Sequence, residues 1–549
     1  LKIRGISKSK ASQLLHLTLN NEVSAKEALI LSTRLKHLPL ALTQAAAFMQ
    51  ENSISISKYI RLLEESGDSL VDQLSEPFEA VGRDSETPHA LTATWIVSFN
   101  QIQQQEALAS DVLSFCSLLD RQGIPEQLIV GFCNQRNEGE RLVSTSKITK
   151  ALGTLKAFSF VSEAKGNAID MHRLVQLVTQ KWLEIHGKQA DYVEQALRIV
   201  SDIYPYGQHE SRQVCHDYLP HANAVLQKQG TGSCDEQLAR ASLLLNMTGY
   251  FLYRGLWTQA EPSAGQSLRL RERILGHEHL DTLTSMVNLG STYWNQGRWK
   301  EAEELQVQVM ETSLRVLGDE HPDTLTSMVN LSSTYREQGR WKEAEELNVQ
   351  VIETRKRVLE DEHPSTLTSM ANLAATYWKQ GRWKEAEELQ LQVIEISLRV
   401  LRDEHPHTLS SMSILAVIYQ GQGRWKEAEE LHIQVMQTRN KVLGDEHPLT
   451  LTSMANLAAT YWNQGRWKEA EELDVRVMET SLRVLGDEHP STLTSMANLA
   501  YTWKSQERYV DAIRLMCDCL ALRQRFLGVD HPDTKSSLST LTEWQKVHA

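Results

Sequence analysis

Six histidines, His321, His363, His405, His447, His489 and His531, stand 42 residues apart, each followed by a proline. Imidazole is a common metal ligand, but a metal site needs its ligands on one point. Copies 42 residues apart fall on successive units of a repeated scaffold, so the column reads as caps or turns. Trp257, Trp299, Trp341, Trp383, Trp425 and Trp467 share the period, with Tyr509 as the next member. Aromatic columns can form a ligand cage, yet at fixed spacing beside an alanine these rings are expected to pack in the core. The six cysteines show no CxxC spacing, and Cys517 and Cys519 point to different faces of a helix, which leaves ordinary packing and free thiols. There is no nucleophile elbow, HExxH motif or paired-cysteine site, so neither a catalytic residue nor a metal is expected.

The elements that carry these residues are repeats. GRWKEAEEL at 297–305 returns unchanged at 339–347, 381–389, 423–431 and 465–473. Identical copies strung along a chain suit a stacked scaffold, whereas a catalytic centre needs different groups converging. Within 322–359, Leu325, Met328, Leu331 and Tyr335 fall on one helical face, giving a helix A. Pro322 suits its first turn and Gly339 a left-handed stop. A helix B follows from Trp341, with Ala344, Leu347, Val351 or Ile352, and Val358 on one side and Glu343, Glu345 and Glu346 in its first turns, where the helix dipole favours acid. Each hairpin leaves one face that only stacking can bury, and the tryptophan ruler counts seven such units.

Composition sets outer bounds. The 549 residues leave room for several domains, and 41% hydrophobic content supplies each with a core. A net charge of −13 and a pI near 5.9 argue against a general nucleic-acid binder. The most apolar stretch, 28–49, is broken by Arg34, Lys36 and His37, so no membrane segment is expected. No secretory signal is visible, which predicts a cytoplasmic protein. The start at Leu1 without methionine suggests a fragment of a longer chain.

Asn-Leu and a later Tyr in helix A, then Gly-Arg-aromatic-x-Glu-Ala-Glu, then Val-Leu-Gly-x-Glu-His-Pro, resemble the 42-residue tetratricopeptide repeat of kinesin light chains over 240–549. That resemblance implies an α-α superhelix whose helix A residues line a concave groove for an extended protein or peptide ligand, with an asparagine clamping its backbone. The matching positions are Asn246, Asn288, Asn330, Asn372, Asn456 and Asn498; the fifth unit departs with Ile414. Between near-identical copies, position 294 runs Trp294, Arg336, Trp378, Gln420, Trp462. A helix B pair alternates as Ser313-Leu314, Arg355-Lys356, Ser397-Leu398, Arg439-Asn440, Ser481-Leu482. Packed residues should stay constant, so these variable ones are expected on exposed surface, where an 84-residue period could read a repeated or symmetric partner.

Upstream, 1–75 reads as a helical set. In 76–186, helices at about 104–119 and 125–133 precede two β-like runs around Lys165-Gly166-Asn167, a winged-helix pattern; 187–239 reads as a helical bridge. The fold class is therefore mainly α. His37-Leu38-Pro39-Leu40-Ala41 resembles the Gly-Leu-Pro-Leu-Ala motif and Met171-His172-Arg173 the Met-His-Asp motif of the NB-ARC switch in STAND ATPases; with the TxTWxxSF opening and the HRLVQ run they are similar to fungal NLR-like proteins. The resemblance implies that Pro39 packs on the adenine of ADP or ATP and that His172 contacts the ADP β-phosphate. His37 stands for the motif's Gly and Arg173 for its Asp, so that aspartate's role does not transfer. No GxxxxGK[ST] phosphate loop occurs in the 549 residues. The chain is thus expected to carry the lid without the cradle, to bind no nucleotide tightly alone, and to be no enzyme by itself; a P-loop upstream of Leu1 would complete an ADP/ATP switch. Two readings follow: the sensing and regulatory part of a STAND-type switch, or a kinesin-light-chain-like cargo or scaffold adaptor without nucleotide control. Partner identity, effector domain and oligomerisation of a full-length protein stay open.

Overall fold

The computed structural model describes residues 7–19, 24–35, 37–65, 86–135 and 143–548. Lys36 and the 75/76 boundary lie outside the described residues. Two compact units meet within the helix Cys234–Tyr253, the first ending at Asn246 and the second beginning at Met247.

In the first unit, helices at 8–18, 25–34, 39–51 and 56–65 precede a longer one at 86–105. Helix 39–51 begins at Pro39, whose missing N–H costs nothing in the first turn. Ahead of it His37 adopts φ 52°, the left-handed region that glycine favours, and its N–H donates to Ser32 O at 2.8 Å to end the preceding helix. Strands β1 (Ile124–Pro125), β2 (Val161–Ala164) and β3 (Ala168–Met171) form one antiparallel sheet in the order β1-β3-β2, with Val161 opposite Met171 and Ile124 opposite Ile169. The turn between β2 and β3 uses positive φ at Gly166 and Asn167, as its sequence predicts. Helices at 107–117, 126–135, 145–157 and 173–185 pack around the sheet, with Trp95, Phe99, Phe115, Phe132, Phe158 and Phe160 in the core. Helices 189–203 and 212–226 follow.

The second unit is an unbroken succession of antiparallel helices ending at 532–548, each packed on its neighbours. Helix A and helix B of the unit read from sequence are Pro322–Glu337 and Trp341–Leu359. Its apolar face is buried as expected at Leu325, Met328, Leu331, Ala344, Val351 and Ile352, whereas Val358 is exposed. Each core cluster draws on more than one hairpin: Ile352 of one helix B meets Leu367 and Met370 of the next helix A and Val393 of the next helix B.

The repeated phrase builds the contact between units. Arg340 donates to Glu303 of the preceding unit at 2.6 Å and to Glu343 of its own at 2.7 Å, and its guanidinium lies 4.0 Å over the Tyr335 ring. Gln338 donates to the same Glu303 at 2.9 Å and to Trp299 O at 3.2 Å. Matching bonds recur at Arg382, Arg424 and Arg466. The first glutamate of GRWKEAEEL thus serves its own arginine and the second serves the next unit, while the alanine between them is fully buried.

Two expectations are corrected. The tryptophans do not form a core column: Trp341, Trp383 and Trp467 are 40%, 43% and 41% exposed. They open helix B at the rim of the stack and contribute their backbone carbonyls; Trp257 is buried, with the His531 ring stacked at 5.4 Å. The alternating helix B pair is not wholly on the surface either. Arg355 and Arg439 are buried, and Arg355 Nη1 donates to Ser365 O at 2.8 Å and Ser369 Oγ at 2.6 Å, stapling helix B to the next helix A. Arg439 does the same with Leu449 O and Ser453 Oγ, while Ser313, Ser397 and Ser481 fill the position between as small buried residues. The 84-residue period there alternates two ways of packing one interface, and it reaches the surface through the second member at Leu398 and Leu482.

The histidine column caps helices. His321 Nδ1 accepts from Asp323 N–H at 3.1 Å, and His279, His363, His405, His447, His489 and His531 do likewise two residues on. The last two also reach back. With Nδ1 accepting, Nε2–H of His489 donates to Tyr253 O at 3.0 Å and that of His531 to Asn295 O at 3.1 Å, both across 236 residues. Pro490 and Pro532 press on Gly255 and Gly297, where an added Cβ would lie 2.0 and 2.3 Å from a proline Cδ. A shared offset of 236 residues over 42-residue units means that the superhelix meets itself after between five and six units.

Candidate functional site

Helix A places the asparagines Asn288, Asn330, Asn372, Asn456 and Asn498 at one position in successive units, with half-buried Ile414 between the third and fourth. Asn330, Asn372, Asn456 and Asn498 are half-buried, and their amides make no side-chain hydrogen bond among the described residues. Asn288 is mostly buried and donates to Thr284 O of its own helix at 2.9 Å. Asn246, within the first compact unit, donates to Tyr204 O at 2.9 Å. The amides of Asn246 and Asn288 are thus engaged internally, which separates them from the other four.

A second column, on helix B, was not singled out from sequence although its variability is plain there: Gln306, Asn348, Gln390, His432, Asp474 and Met516 occupy one position. All are buried, between one unit and the next helix A. Gln306 accepts from Thr334 Oγ1 at 2.6 Å, Asn348 donates to Thr376 Oγ1 at 3.3 Å, and Gln390 donates to Ser411 O at 2.9 Å. Gln420 Nε2 donates to Thr460 Oγ1 at 2.6 Å beside His432. Asp474 is the one carboxylate of the column; its Oδ2 accepts from Thr502 Oγ1 at 2.7 Å. Burial pushes the Asp474 carboxyl up to about 6 against the pull of that hydrogen bond, and burial, helped by Arg439, pushes His432 down to about 4.

Asp474 opens into a cleft of about 270 Å³ between Ala458 and Trp462 of one helix A and Asn498 and Tyr501 of the next. Both rings are anchored: Trp462 Nε1 donates to Ser505 Oγ at 2.9 Å, and the Tyr501 hydroxyl pairs with Thr540 Oγ1 at 2.7 Å while its ring meets Trp544 edge-on. At the variable position 294, Trp294, Arg336, Trp378 and Gln420 are half-buried and Trp462 is 38% exposed, as the sequence pattern anticipates only in part.

In the first unit Pro39 is half-buried at its helix start. His172 is the N-cap of helix 173–185: its Nδ1 accepts from Leu174 N–H at 3.2 Å. Desolvation and then the nearby Arg121 guanidinium hold its pKa below the ordinary value. A neutral ring with Nδ1 accepting carries its proton on Nε2, a donor suited to a phosphate oxygen. Among the described residues no hydrogen bond or ring contact joins His172 to Pro39. No described helix is long and apolar enough to cross a membrane, and no described group of three or more His, Cys, Asp or Glu is placed to hold a metal.

The tetratricopeptide repeat family model matches residues 239–312, 286–357, 336–399, 366–425, 407–478 and 455–525, together just over half of the chain. A nucleotide-binding leucine-rich repeat (NLR)-like protein of Hyaloscypha variabilis is 41% identical over 258 residues, 46% of this chain and 25% of that protein. The match thus spans a quarter of that relative's length. Among solved structures, a STAND protein with a tetratricopeptide repeat sensor from Pyrococcus horikoshii shares the fold with a TM-score of 0.54 at 16% identity, over 98% of this chain and 72% of that one. A protein of nearly identical TPR-like repeats from Podospora anserina, described as a kinesin light chain, is 38% identical over 38% of this chain and 98% of its own, with a TM-score of 0.33.

Proposed function

The chain belongs to the tetratricopeptide repeat family, and from that premise we propose that it is the sensing and regulatory part of a STAND-type signalling switch. The array holds an extended protein or peptide segment, and the first unit supplies the lid of an ADP/ATP site. The observation that carries the reading is the row of uncommitted helix A amides at Asn330, Asn372, Asn456 and Asn498, each offering a donor and an acceptor to a peptide backbone. Asn288 and Asn246 would join it only by leaving their internal bonds. On this reading 1–75 is the helical subdomain, 76–186 a winged helix built on β1, β2 and β3, 187–239 a bridge and 240–549 the array. The likeness to an NLR-like protein and the fold shared with a STAND protein favour this reading over a plain adaptor.

Pro39 and His172 fit lid contacts: the first is a half-buried apolar ring at a helix start, the second a neutral Nε2–H donor beside Arg121. Bound nucleotide would supply the phosphate charge whose presence distinguishes two states; this chain's residues would only orient and cover it, since its sequence has no phosphate-cradling loop. Cytoplasmic location and binding of neither nucleic acid nor membrane belong to the same proposal.

One experiment with two arms tests it. The Asn330→Ala, Asn372→Ala, Asn456→Ala triple variant should melt within a few degrees of the parent, because half-buried groove residues leave no cavity. It should bind the partner at least tenfold more weakly, each lost hydrogen bond costing about 0.5–1.5 kcal/mol. A variant that unfolds well below the parent makes these amides structural and removes the clamp. In a longer protein that includes a phosphate loop, His172→Ala should lower ADP retention; unchanged ADP occupancy removes His172 from the lid and leaves the adaptor reading.

A further inference from the structure

The cleft around Asp474 carries a charged group at a helix B position where no equivalent place in the array has one, and its Tyr501 wall stands where the preceding units have Ala459, Val417, Ala375, Ser333 and Ser291. The helix B position that faces it is neutral in the other units, as Gln306, Asn348, Gln390 and buried, low-pKa His432, and apolar at Met516. At 474 it is a carboxylate, 4% exposed, with Oδ2 taken by Thr502 and no hydrogen bond on Oδ1 among the described residues. No arginine or lysine lines the cleft, and a carboxylate removed from water without a cation is costly unless a partner arrives. The cost is visible in the raised carboxyl pKa. The walls suit one kind of partner. The Trp462 and Tyr501 rings are held in place by hydrogen bonds to Ser505 and Thr540, so they present aromatic surface without having to reorganise. An aromatic face over a carboxylate accommodates a guanidinium, which stacks on rings and donates to oxygen at once. The array already uses that chemistry internally: Arg424 and Arg466 each lie about 4 Å over a tyrosine ring while donating to glutamates.

We propose that this cleft is a side-chain pocket for an arginine of the bound segment, with Asp474 as its counter-ion and Trp462 and Tyr501 as its stacking walls. The volume of about 270 Å³ admits one long side chain, and Asn498, a member of the amide row, lines the same cleft, so backbone clamp and side-chain pocket are contiguous. The proposal deepens the groove reading and rests on it, and it assigns the groove a preference that an otherwise repetitive wall lacks.

The test uses Nα-acetyl-argininamide as probe and its uncharged isostere Nα-acetyl-citrullinamide as control, so it needs no knowledge of the partner. The indole resonance of Trp462, assigned by its loss in Trp462→Phe, is followed in the whole chain during titration. The arginine probe should shift it saturably, and the citrulline analogue should bind at least tenfold more weakly. Asp474→Asn should erase the difference. That variant has a structural precedent at the same position three units away, where Asn348 donates to Thr376 Oγ1, the counterpart of the Thr502 hydroxyl that donates to Asp474, so loss of fold does not explain its result. Equal response to both probes, no response, or a preference that survives Asp474→Asn overturns the pocket. Failure of the amide row is read separately, by the triple asparagine variant retaining its partner.

Discussion

Asp474 and His432 occupy the same helix B position one unit apart, and burial shifts them in opposite directions. A carboxyl raised from its ordinary 3.8 to about 6 is best tolerated when protonated in both folded and unfolded chains. Its favourable contribution is therefore complete below about pH 4 and is lost as pH rises through 6. A histidine lowered to about 4 contributes fully above its ordinary 6.5, and that contribution is lost as pH falls toward 4. Asp474→Asn should raise stability at pH 7.5 by roughly 1–3 kcal/mol and leave it unchanged near pH 4. His432→Gln, which installs the residue found at 306 and 390, should flatten the loss between pH 6.5 and 4 by a similar amount. Urea midpoints of both variants across this range decide it, and a parallel pH profile for either variant would refute the assignment for that residue. Variability at this column is plain in the sequence; its burial is not, because a polar side chain on helix B reads as solvated until the next helix A covers it.

Between elements, the phrase GRWKEAEEL supplies two kinds of contact with different weights. The arginine-glutamate relay is partly exposed, with Glu387 at 20% and Arg424 at 35%, and exposed pairs are worth about 0.2–1 kcal/mol. Its role is to set register: Gln422 and Arg424 both reach Glu387 of the preceding unit. The buried arginines that alternate with serines weigh more, since removing one deletes charge-assisted hydrogen bonds and empties a buried volume between helix B and the next helix A. Arg439→Ala should cost about 2–3 kcal/mol, from the lost charge-assisted hydrogen bonds to Leu449 O and Ser453 Oγ and the space left by a buried side chain. Lys441→Ala, two residues on and 76% exposed in its pair with Glu404, should leave the denaturation midpoint at the parent's value. Chemical denaturation of the two variants side by side gives the comparison, and equal costs would place the 84-residue alternation back on the surface. The alternation itself was legible; which face it belonged to depended on a helical phase that the i+3/i+4 pattern leaves open when Arg, Ser and Leu all occur there.

For the repeat superhelix taken whole, the closing contact decides how the array is held. His489→Asn with His531→Asn keeps a good N-cap residue before each proline and removes the Nε2 donors to Tyr253 and Asn295. Hydrogen exchange at the turns 252–257 and 294–299 should quicken while the other turns keep the parent's rates; unchanged exchange would mean that proline packing alone closes the superhelix. Burial lowers the pKa of both histidines, so the neutral form that caps through Nδ1 and donates through Nε2 is favoured above the ordinary histidine value. That contribution is lost as pH falls through the lowered values, and the parent's exchange at these turns should quicken on acidification in the same way.

Helix type, order and count of the repeats, the histidine caps and the left-handed glycine stops were determined by the sequence itself, because they depend on local spacing, capping groups and backbone freedom within a few residues. Exposure of the tryptophans, burial of Arg355 and Arg439, the engagement of Asn246 and Asn288, and the carboxylate cleft at Asp474 were decided only by tertiary structure. Each depends on which neighbouring helix covers a given face, and identical repeats offer no local mark for that. The same holds for His489 and His531: their sequence surroundings match those of His321 and His363, and only the superhelix returning after 236 residues brings a carbonyl to their free nitrogen.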